Sequence, residues 1–351
     1  MKDYVIQPFD ILAASKEEWA KYHRYRRKRS SEVFHGDPVD DDSSYEEWAK
    51  IGLDDSEVKF FVATVNEPLG EIVASLQMNA VKETSPAYKG NEHLLAVNFL
   101  SVLKEFRRKG IGLAFLKLVH EFAVENEKRL IVGHALEEDG SAVGQLLGGT
   151  EALEMRVNRL SLDDVDWNMV EMWEREGVQR NPSSSLEFHI KMPDEILGNY
   201  CRIYTEVSNQ MPLDDLEAGN YVITPELRRK YEDAFENTGE TWLTALIREK
   251  NGNISSLTDV VYNPLKAPLL NQQLTGVDQK YRGQGKGKWV KAAMLLKVRN
   301  EFPDIKTVST SNATSNAPML AINERLGFKI LREVYFIQVE TEKLGKFLEG
   351  R

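Results

Sequence analysis

The chain has 351 residues, of which 42% are hydrophobic and 28% charged, so it is long enough for two domains with separate cores. Its 45 Lys and Arg residues are outnumbered by 55 Asp and Glu residues, which gives a formal net charge of −10. This balance argues against a nucleic-acid-binding or membrane-surface protein, because such proteins usually carry a basic face. A single cysteine, Cys201, excludes an intrachain disulfide and a cysteine cage for zinc.

The sequence also bears on location and partners. No uninterrupted apolar run reaches membrane-spanning length, and acidic residues stand where a signal peptide would be apolar. We therefore expect a cytoplasmic protein with neither a membrane nor a nucleic-acid partner. The six histidines are scattered, with no pair at metal-ligand spacing, so no metal site is expected. The acidic balance slightly favours cationic partners, and the oligomeric state stays open.

The predicted elements of the first half begin with an amphipathic helix behind the capping box Ser15–Glu18. Two strands follow at 59–65 and 71–77, and they are expected to form a hairpin around the turn 66–70. Another extended stretch then leads into the glycine-containing segment Arg107–Gly112 and a helical pattern. This order predicts a mixed α/β sandwich.

The middle of the chain marks a junction. A helical pattern begins near Asp163, and Gly177 is its predicted end. The segment 179–185 is rich in Asn, Pro and Ser and reads as a linker. Beyond it, strands predicted at 241–247 and 254–261 repeat the order of the first half.

Two glycine-containing segments have the same sequence pattern. In both Phe99–Gly112 and Leu274–Gly287, an extended stretch ends in Val, Arg follows five residues later, and x-x-Gly-x-Gly opens a helical pattern. Arg107 and Arg282 lie 175 residues apart, almost half of the chain. We therefore predict two copies of one domain. The predicted division is 1–163 for the first domain, 164–185 for a connecting helix and linker, and 186–351 for the second domain.

Glycines at the start of a helix let the backbone approach a ligand, and the unpaired N–H groups of the first turn then favour phosphate or pyrophosphate. The second turn does not match either of two common nucleotide-binding motifs. A P-loop would need Gly in place of Arg282 and Ser or Thr in place of Trp289. A dinucleotide fingerprint starting at Gly283 would need Gly or Ala in place of Lys288.

The pattern Val-x-x-x-x-Arg-x-x-Gly-x-Gly, which ends a strand and opens a helix, resembles motif A of the GNAT N-acetyltransferases. In the second half, Thr310–Phe328 resembles motif B of that family, in which Asn begins a helix and Leu-Gly-Phe closes it. The counterpart in the first half, 139–149, keeps glycines but lacks the Asn. The chain is thus similar to a tandem GNAT protein, which implies an α/β fold (α+β, with a mixed sheet) in two GNAT-like acyl-CoA N-acyltransferase domains, the second better preserved.

The resemblance implies an acetyl-CoA site at the second turn. The first turn matches the same positions, and whether it also binds acetyl-CoA stays open. Backbone amides would hold the pyrophosphate, and Arg282, Lys286 and Lys288 would add mobile positive charge. A splayed sheet and a bulge beside Val277 would let its backbone pair with the pantetheine arm, which Asn316 would also reach. The implied acetyl-CoA residues are Val277, Arg282, Gly283, Gln284, Gly285, Lys286, Gly287, Lys288 and Asn316 in the second copy, and Val102, Arg107, Gly110 and Gly112 in the first.

The catalytic step departs from the family pattern. Many members protonate the thiolate with a Tyr four residues before the motif B Gly, where this chain has Asn323. Water or another hydroxyl, such as that of Tyr335, is expected to take its place. The usual position of a carboxylate base is occupied by Asn271. Three carboxylates stay open as the base, namely Asp278, Asp259 and Glu187. The implied catalytic residues are Val277, Asn316 and Tyr335.

Two functions follow from the resemblance. The first is an N-acetyltransferase that transfers the acetyl group of acetyl-CoA to a primary amine of a small molecule or peptide, with catalysis in the C-terminal domain. The second is a non-catalytic tandem protein that binds or senses acyl-CoA. Cys201 is a third candidate, as an acyl-enzyme nucleophile, but its helical surroundings favour a packed core residue.

Overall fold

We describe the fold from a computed structural model, which describes residues 4–34, 36–65, 70–136 and 138–351. The chain divides into two compact units, and each is described by itself. Unit 1 consists of Met1–Glu154, Leu213–Asn220 and Val334–Arg351, and unit 2 consists of Met155–Pro212 and Tyr221–Glu333.

The first half of the chain mixes strands and helices. The capping box is confirmed, because the Ser15 side chain accepts from the Glu18 backbone N–H and the Glu18 carboxylate accepts from the Ser15 N–H. Both hairpin strands are confirmed, whereas residues 66–69 of the predicted turn lie outside the described residues. The elements are β1 (Tyr4–Pro8), α1 (Lys16–Val33), α2 (Asp42–Lys50), β2 (Ser56–Val65), β3 (Glu71–Val81), β4 (Leu94–Val102), α3 (Ile111–Glu125), β5 (Leu130–Ala135), α4 (Glu138–Leu146) and β6 (Thr150–Ser161).

The second half repeats this order of elements and is also α/β. Within the part of the chain described, no helix has the length and apolar character needed to span a bilayer. The elements are α5 (Trp167–Arg180), β7 (Ser185–His189), α6 (Asp194–Ser208), α7 (Pro225–Asn237), β8 (Thr241–Arg248), β9 (Ile254–Tyr262), β10 (Leu269–Val277), α8 (Lys286–Glu301), β11 (Thr307–Ala313), α9 (Ala317–Leu326), β12 (Lys329–Glu340) and α10 (Thr341–Glu349).

The sheet of unit 1 has the strand order β1-β2-β3-β4-β5-β12. Neighbouring strands are antiparallel except β4 and β5, which are parallel and pair only through 94–97 and 130–133. The last strand comes from the far end of the chain, because 335–340 of β12 pairs with β5. Helix α10 then packs on α3, where a Cβ atom at Gly345 would lie 2.7 Å from Nε2 of His120.

The sheet of unit 2 has the order β6-β11-β10-β9-β8-β7 and contains a strand from the first half of the chain, since 155–161 of β6 pairs with β11. Strands β10 and β11 are parallel and pair only through 269–271 and 307–309. The predicted domains 1–163 and 186–351 are contiguous stretches, whereas each compact unit includes a strand from the other half of the chain. The mixed α/β fold class is confirmed.

The core of unit 2 depends on a close approach between α5 and α8. Gly177 was predicted to end its helix, but α5 continues to Arg180. The glycine is needed for packing instead, because a Cβ atom at position 177 would overlap the side chain of Trp289, which is 1% exposed. Only a residue without a side chain lets the two helices come this close.

Substitution of this glycine tests the packing. We expect Gly177→Ala to lower the free energy of unfolding by about 1–3 kcal/mol, because the added methyl group overpacks the Trp289 site. The matched control is Gly198→Ala in α6, where no described atom lies within 4 Å of the Cβ position. The control should instead stabilise the helix by up to about 1 kcal/mol. Urea unfolding of both variants checks this, and equal stabilities would contradict the packing role of Gly177.

Candidate functional site

The two glycine turns have the same backbone conformation. Arg107 and Arg282 both have φ −65° and ψ 159°. The following residues, Arg108 and Gly283, are left-handed with φ of 64° and 78°. The helix N-caps Gly110 and Gly285 are left-handed as well, with φ of 84° and 79°. The repeat seen in the sequence is therefore also a repeat of backbone geometry.

Each turn leaves the start of its helix open. Neither α3 nor α8 has a side-chain hydrogen bond capping its N-terminus within the described residues. At Gly283, no described atom lies within 4 Å of the Cβ position, whereas Nη1 of Arg180 lies 3.7 Å from the Cβ position of Gly285. The N–H groups of the first turn, with the helix dipole behind them, are suited to the pyrophosphate of a CoA ester.

The strand before each turn is bulged and splayed, as the resemblance implied. In β10 the register with β9 shifts between Gln272 and Thr275, so that two residues face the single residue Asp259. On its other side, β10 pairs with its parallel partner β11 only as far as Asn271, six residues before Val277. In β4 the register shifts beside Asn98, and pairing with β5 likewise ends after four residue pairs.

The cationic side chains of the second turn do not all point to the ligand space. Lys286 is 1% exposed and bonds Glu249 at 2.7 Å and Ser184 at 3.1 Å, so the expectation of a mobile charge is wrong for this side chain. Arg282 donates to Oε1 of Gln210 at 2.5 Å and stays exposed. Lys288 lies 5.5 Å from the centroid of the Trp173 ring. Only the backbone of Lys286 contributes to the turn.

A residue that sequence reasoning missed holds the turn in place. The Nδ2 group of Asn181, which is buried after the end of α5, donates to the Gly177 carbonyl at 2.9 Å and to the Gln284 carbonyl at 3.3 Å. The signal in the sequence was only an Asn inside a linker-like stretch. Its hydrogen bonds tie α5 to the glycine turn.

The motif B helix is present as α9. Asn316 is its N-cap, and the side-chain oxygen accepts from the Met319 N–H at 3.4 Å. Asn323 lies two helical turns further along α9. Its Nδ2 group donates to Oδ1 of Asn312 at 2.7 Å, and its Oδ1 accepts from the Nζ of Lys291. Burial lowers the pKa of Lys291 to about 7. The sequence held a signal for this lysine, since it interrupts the apolar run 289–295.

The three carboxylates left open as the base have different surroundings. Glu187 bonds Arg248 at 2.7 Å on the edge strand β7, and Asp278 accepts from the Lys280 N–H at 3.0 Å as the cap of a short turn. Asp259 is fully buried opposite the bulge, and Oγ1 of Thr244 donates to it at 2.5 Å. Burial raises the pKa of Asp259 to about 6 against the lowering effect of nearby donors.

The surroundings of Asp259 are polar and aromatic. Arg228 is fully buried, donates to the Tyr200 hydroxyl at 2.8 Å and lies 3.6 Å from the centroid of the Trp242 ring. Within the described part of the chain, three buried polar atoms of this cluster have no hydrogen-bond partner, namely Oδ2 of Asp259, Nη2 of Arg228 and Nε1 of Trp242. The Trp242 and Tyr200 side chains nevertheless lie close enough to Asp259 to lower its pKa.

The three residues expected to act in catalysis belong to different compact units. Tyr335 belongs to the sheet of unit 1, where it pairs with Ala135, whereas Val277 and Asn316 belong to unit 2. Val277 lies opposite Ser256, and its Cγ2 atom is 3.4 Å from the Cβ position of Gly287. The structure thus brings the end of β10 against the first turn of α8.

Unit 1 contains a cavity of about 370 Å³ beside the bulge of β4. Aromatic rings and uncharged polar groups form its walls, and none of the described residues that line it is a carboxylate, His, Lys or Arg. The lining residues are Tyr45, Trp48, Ala49, Ile51, Gly52, Ser56, Val58, Gln77, Asn79, Asn98 and Phe99.

Two other kinds of site find no support in the structure. Cys201 is 3% exposed in α6, and burial raises the pKa of its thiol to about 11, so it is a packed core residue as favoured from the sequence. Among the described residues, no group of three or more His, Cys, Asp or Glu side chains is placed to hold a metal ion.

Comparison with known proteins supports this geometry. The sequence model described as the Acetyltransferase (GNAT) family matches residues 18–145, which include Val102 and the turn Arg107–Gly112. No curated protein is similar enough to count as a match.

Several solved structures share the fold along the whole chain. A tandem GNAT protein from the clavulanic acid biosynthesis pathway, solved without acetyl-CoA, matches with a TM-score of 0.74 and 17% identity, over 96% of this chain and 98% of that one. A GCN5-related N-acetyltransferase from Sphaerobacter thermophilus matches with a TM-score of 0.61 and 13% identity, over 97% of this chain and 96% of that one. The N-myristoyltransferase of Saccharomyces cerevisiae, solved with myristoyl-CoA, matches with a TM-score of 0.56 and 10% identity, over 97% of this chain and 80% of that one.

The buried amine of Lys291 predicts a stability change. The folded chain holds its pKa at about 7, below the value of about 10.4 in an unfolded chain, so the unfolded state binds more protons between these values. The stability of the protein should therefore rise with pH across that window. We expect Lys291→Met to stabilise the fold by roughly 1–4 kcal/mol at pH 7, and this advantage should shrink toward pH 10.

Urea unfolding at pH 7, 8.5 and 10 measures this effect. The control is Lys297→Met on the same helix, where the ammonium bonds Glu301 at 2.6 Å and is not fully buried. The control should show no comparable gain. An advantage of Lys291→Met that does not change with pH would contradict the buried neutral amine.

Proposed function

We propose that this chain is an N-acetyltransferase, because residues 18–145 match the GNAT family model and the whole chain has the fold of a tandem GNAT protein. It takes acetyl-CoA as the acyl donor and transfers the acetyl group directly to a primary amine of a small molecule or peptide. The catalytic site is the one in unit 2, between β10, α8 and the layer of α6 and α7.

One observation carries this proposal. The uncapped N-terminus of α8, behind two left-handed glycines, stands beside a strand that is bulged on one side and has lost its partner on the other. The turn supplies N–H groups for the pyrophosphate, and the free edge of the strand supplies backbone groups for the pantetheine arm near Val277. Such groups can also polarise the thioester carbonyl.

A short acyl group suits this strand. Gly276 precedes Val277, and a Cβ atom there would overlap Cγ1 of Val207 on α6. The Val207 side chain therefore closes one face of the strand beside the thioester position. An acetyl group fits under this contact better than a long chain, which supports acetyl-CoA as the donor.

We assign the role of general base to Asp259. An alkyl ammonium must lose a proton before it attacks the thioester, and Asp259 lies opposite the bulge with one open oxygen, Oδ2. A carboxyl whose pKa is raised to about 6 is ionised at neutral pH and is still a stronger base than an ordinary aspartate. Arg228 and Trp242 place donors beside it.

The residues of unit 1 are better suited to binding a ligand than to catalysis. Its turn has the geometry for a second CoA pyrophosphate, but the cavity beside its bulge offers aromatic and amide groups rather than a base. This observation supports the second function inferred from the sequence, acyl-CoA binding without catalysis, for the first copy. We propose that unit 1 binds a neutral polar ligand and an acyl-CoA.

A pair of matched variants tests the two turns. Gly285→Glu and Gly110→Glu each place a carboxylate and a strained side chain at a left-handed N-cap. In calorimetric titrations, the wild type should bind two acetyl-CoA molecules per chain, and each variant should bind one. Amine-dependent thiol release, measured with a panel of primary amines, should be lost only in Gly285→Glu. Loss in Gly110→Glu alone would move catalysis to unit 1.

The base is tested by Asp259→Asn. With any amine that supports turnover, kcat/KM of the wild type should rise with pH and level off above about 6, because Asp259 must be ionised. The variant should lose about 10²–10⁴-fold in rate and should lack this rise. Glu187→Gln is the control, since Glu187 is engaged with Arg248. A normal rate and pH profile in Asp259→Asn would rule out this base.

A further inference from the structure

The helix behind the C-terminal turn carries a lysine in its buried part. Lys291 is 1% exposed, and its Nζ donates to Oδ1 of Asn323 on α9. The sulfur of Met319 lies 3.8 Å from this nitrogen, and the centroid of the Phe328 ring lies 5.2 Å away. A buried ammonium normally has a carboxylate partner, and no described residue supplies one here.

The groups that face Lys291 from its neighbours are neutral. Helix α9 presents Met319 and Asn323, and β11 presents Asn312, which bonds Asn323. The nearest cations in sequence on α8 and α9, Lys288 and Arg325, lie over the ring of Trp173 on α5 instead. Burial is the cause of the lowered pKa of about 7, so the free chain holds Lys291 close to half neutral at physiological pH.

Lys291 lies on the side of α8 that meets α9 and the end of β10. It follows Gly287 by four residues and so lies on the same face of the helix. The Cβ position of Gly287 is 3.4 Å from Cγ2 of Val277 and 3.8 Å from Cδ1 of Ile322. Lys291 is therefore one helical turn further along the wall formed by α8, α9 and the end of β10.

We propose that Lys291 takes up a proton when an acyl-CoA binds at the C-terminal glycine turn, and that it holds this proton for the departing thiolate. The inference rests on the proposed function. Five residues of helix separate Lys286 from Lys291, about 7.5 Å along the axis, so pyrophosphate charges at the helix start lie about 10 Å from the amine. One negative charge at this distance favours the ammonium over the amine roughly tenfold or more.

The proton balance closes within one turnover. Solvent supplies a proton to the Lys291 amine when the anionic acyl-CoA binds. During acyl transfer the acceptor nitrogen loses one proton to solvent through Asp259, forms the C–N bond, and then loses its second proton by the same route. The C–S bond breaks and leaves its electron pair on sulfur. The N–H bond of the Lys291 ammonium then breaks, its proton forms the S–H bond of the CoA thiol, and the lysine returns to the neutral amine.

The test is a calorimetric measurement of proton uptake. Acetyl-CoA is titrated at pH 7.5 in buffers of different ionisation enthalpy into the full chain carrying Gly110→Glu, so that only the C-terminal turn binds. We expect Lys291→Met to take up about half a proton less per acetyl-CoA than its parent, since the tenfold shift moves the amine from mostly neutral to mostly protonated. Lys291→Leu should show the same reduced proton uptake as Lys291→Met. Leucine is a fitting replacement because Leu116 occupies the matching position in the first copy.

The control is Leu116→Met in the same background, which should leave proton uptake unchanged. Equal uptake by the parent and Lys291→Met, with acetyl-CoA still bound, would overturn the role of Lys291 alone. Absence of acetyl-CoA binding to the parent would instead overturn the proposed function, and the inference with it.

Discussion

The left-handed conformation of two residues in each glycine turn is the constraint on which the rest of the site depends. In unit 2 the two residues are Gly283 and Gly285, and in unit 1 they are Arg108 and Gly110. These conformations turn the chain sharply from the end of a strand into a helix and leave the first N–H groups of the helix open. Without that turn, neither the end of β10 nor the start of α8 could face one ligand.

Buried polar contacts hold the C-terminal turn rigid from behind. The Lys286–Glu249 ion pair anchors the first residue of α8, and Asn181 bonds the carbonyl of Gln284. The approach of α5, made possible by Gly177, brings Asn181 to this place. Lys291 is buried on a different side of the same helix, against Met319, Asn323 and Phe328.

The elements nearest the turns were predictable because their signals are local. The capping box at Ser15, the strands of the hairpin and the repeat of Arg107 and Arg282 depend on short spacings in the sequence, and the structure bears them out. The exchange of β6 and β12 was not predictable, because a strand carries no mark of the sheet that it joins. Lys286 was expected to be mobile, and its burial follows from Glu249, a residue 37 positions away.

The family comparison adds a point that the motifs did not give. The sequence favoured the second copy as the better preserved, on the strength of Asn316 and the motif B helix, whereas the family model matches the first half of the chain. Both copies keep the turn, the bulge and the splayed strand. What differs is the layer beside the bulge, where unit 2 buries Asp259 and unit 1 has an uncharged cavity.

Hydrogen–deuterium exchange tests the central claim most directly, because the claim concerns backbone N–H groups. The amides of residues 283–288 should exchange fast in the free chain and become protected when acetyl-CoA is added, while the exposed turn 251–253 should not change. Binding of acetyl-CoA without protection of residues 283–288 would contradict the account, since the ligand would then be held elsewhere.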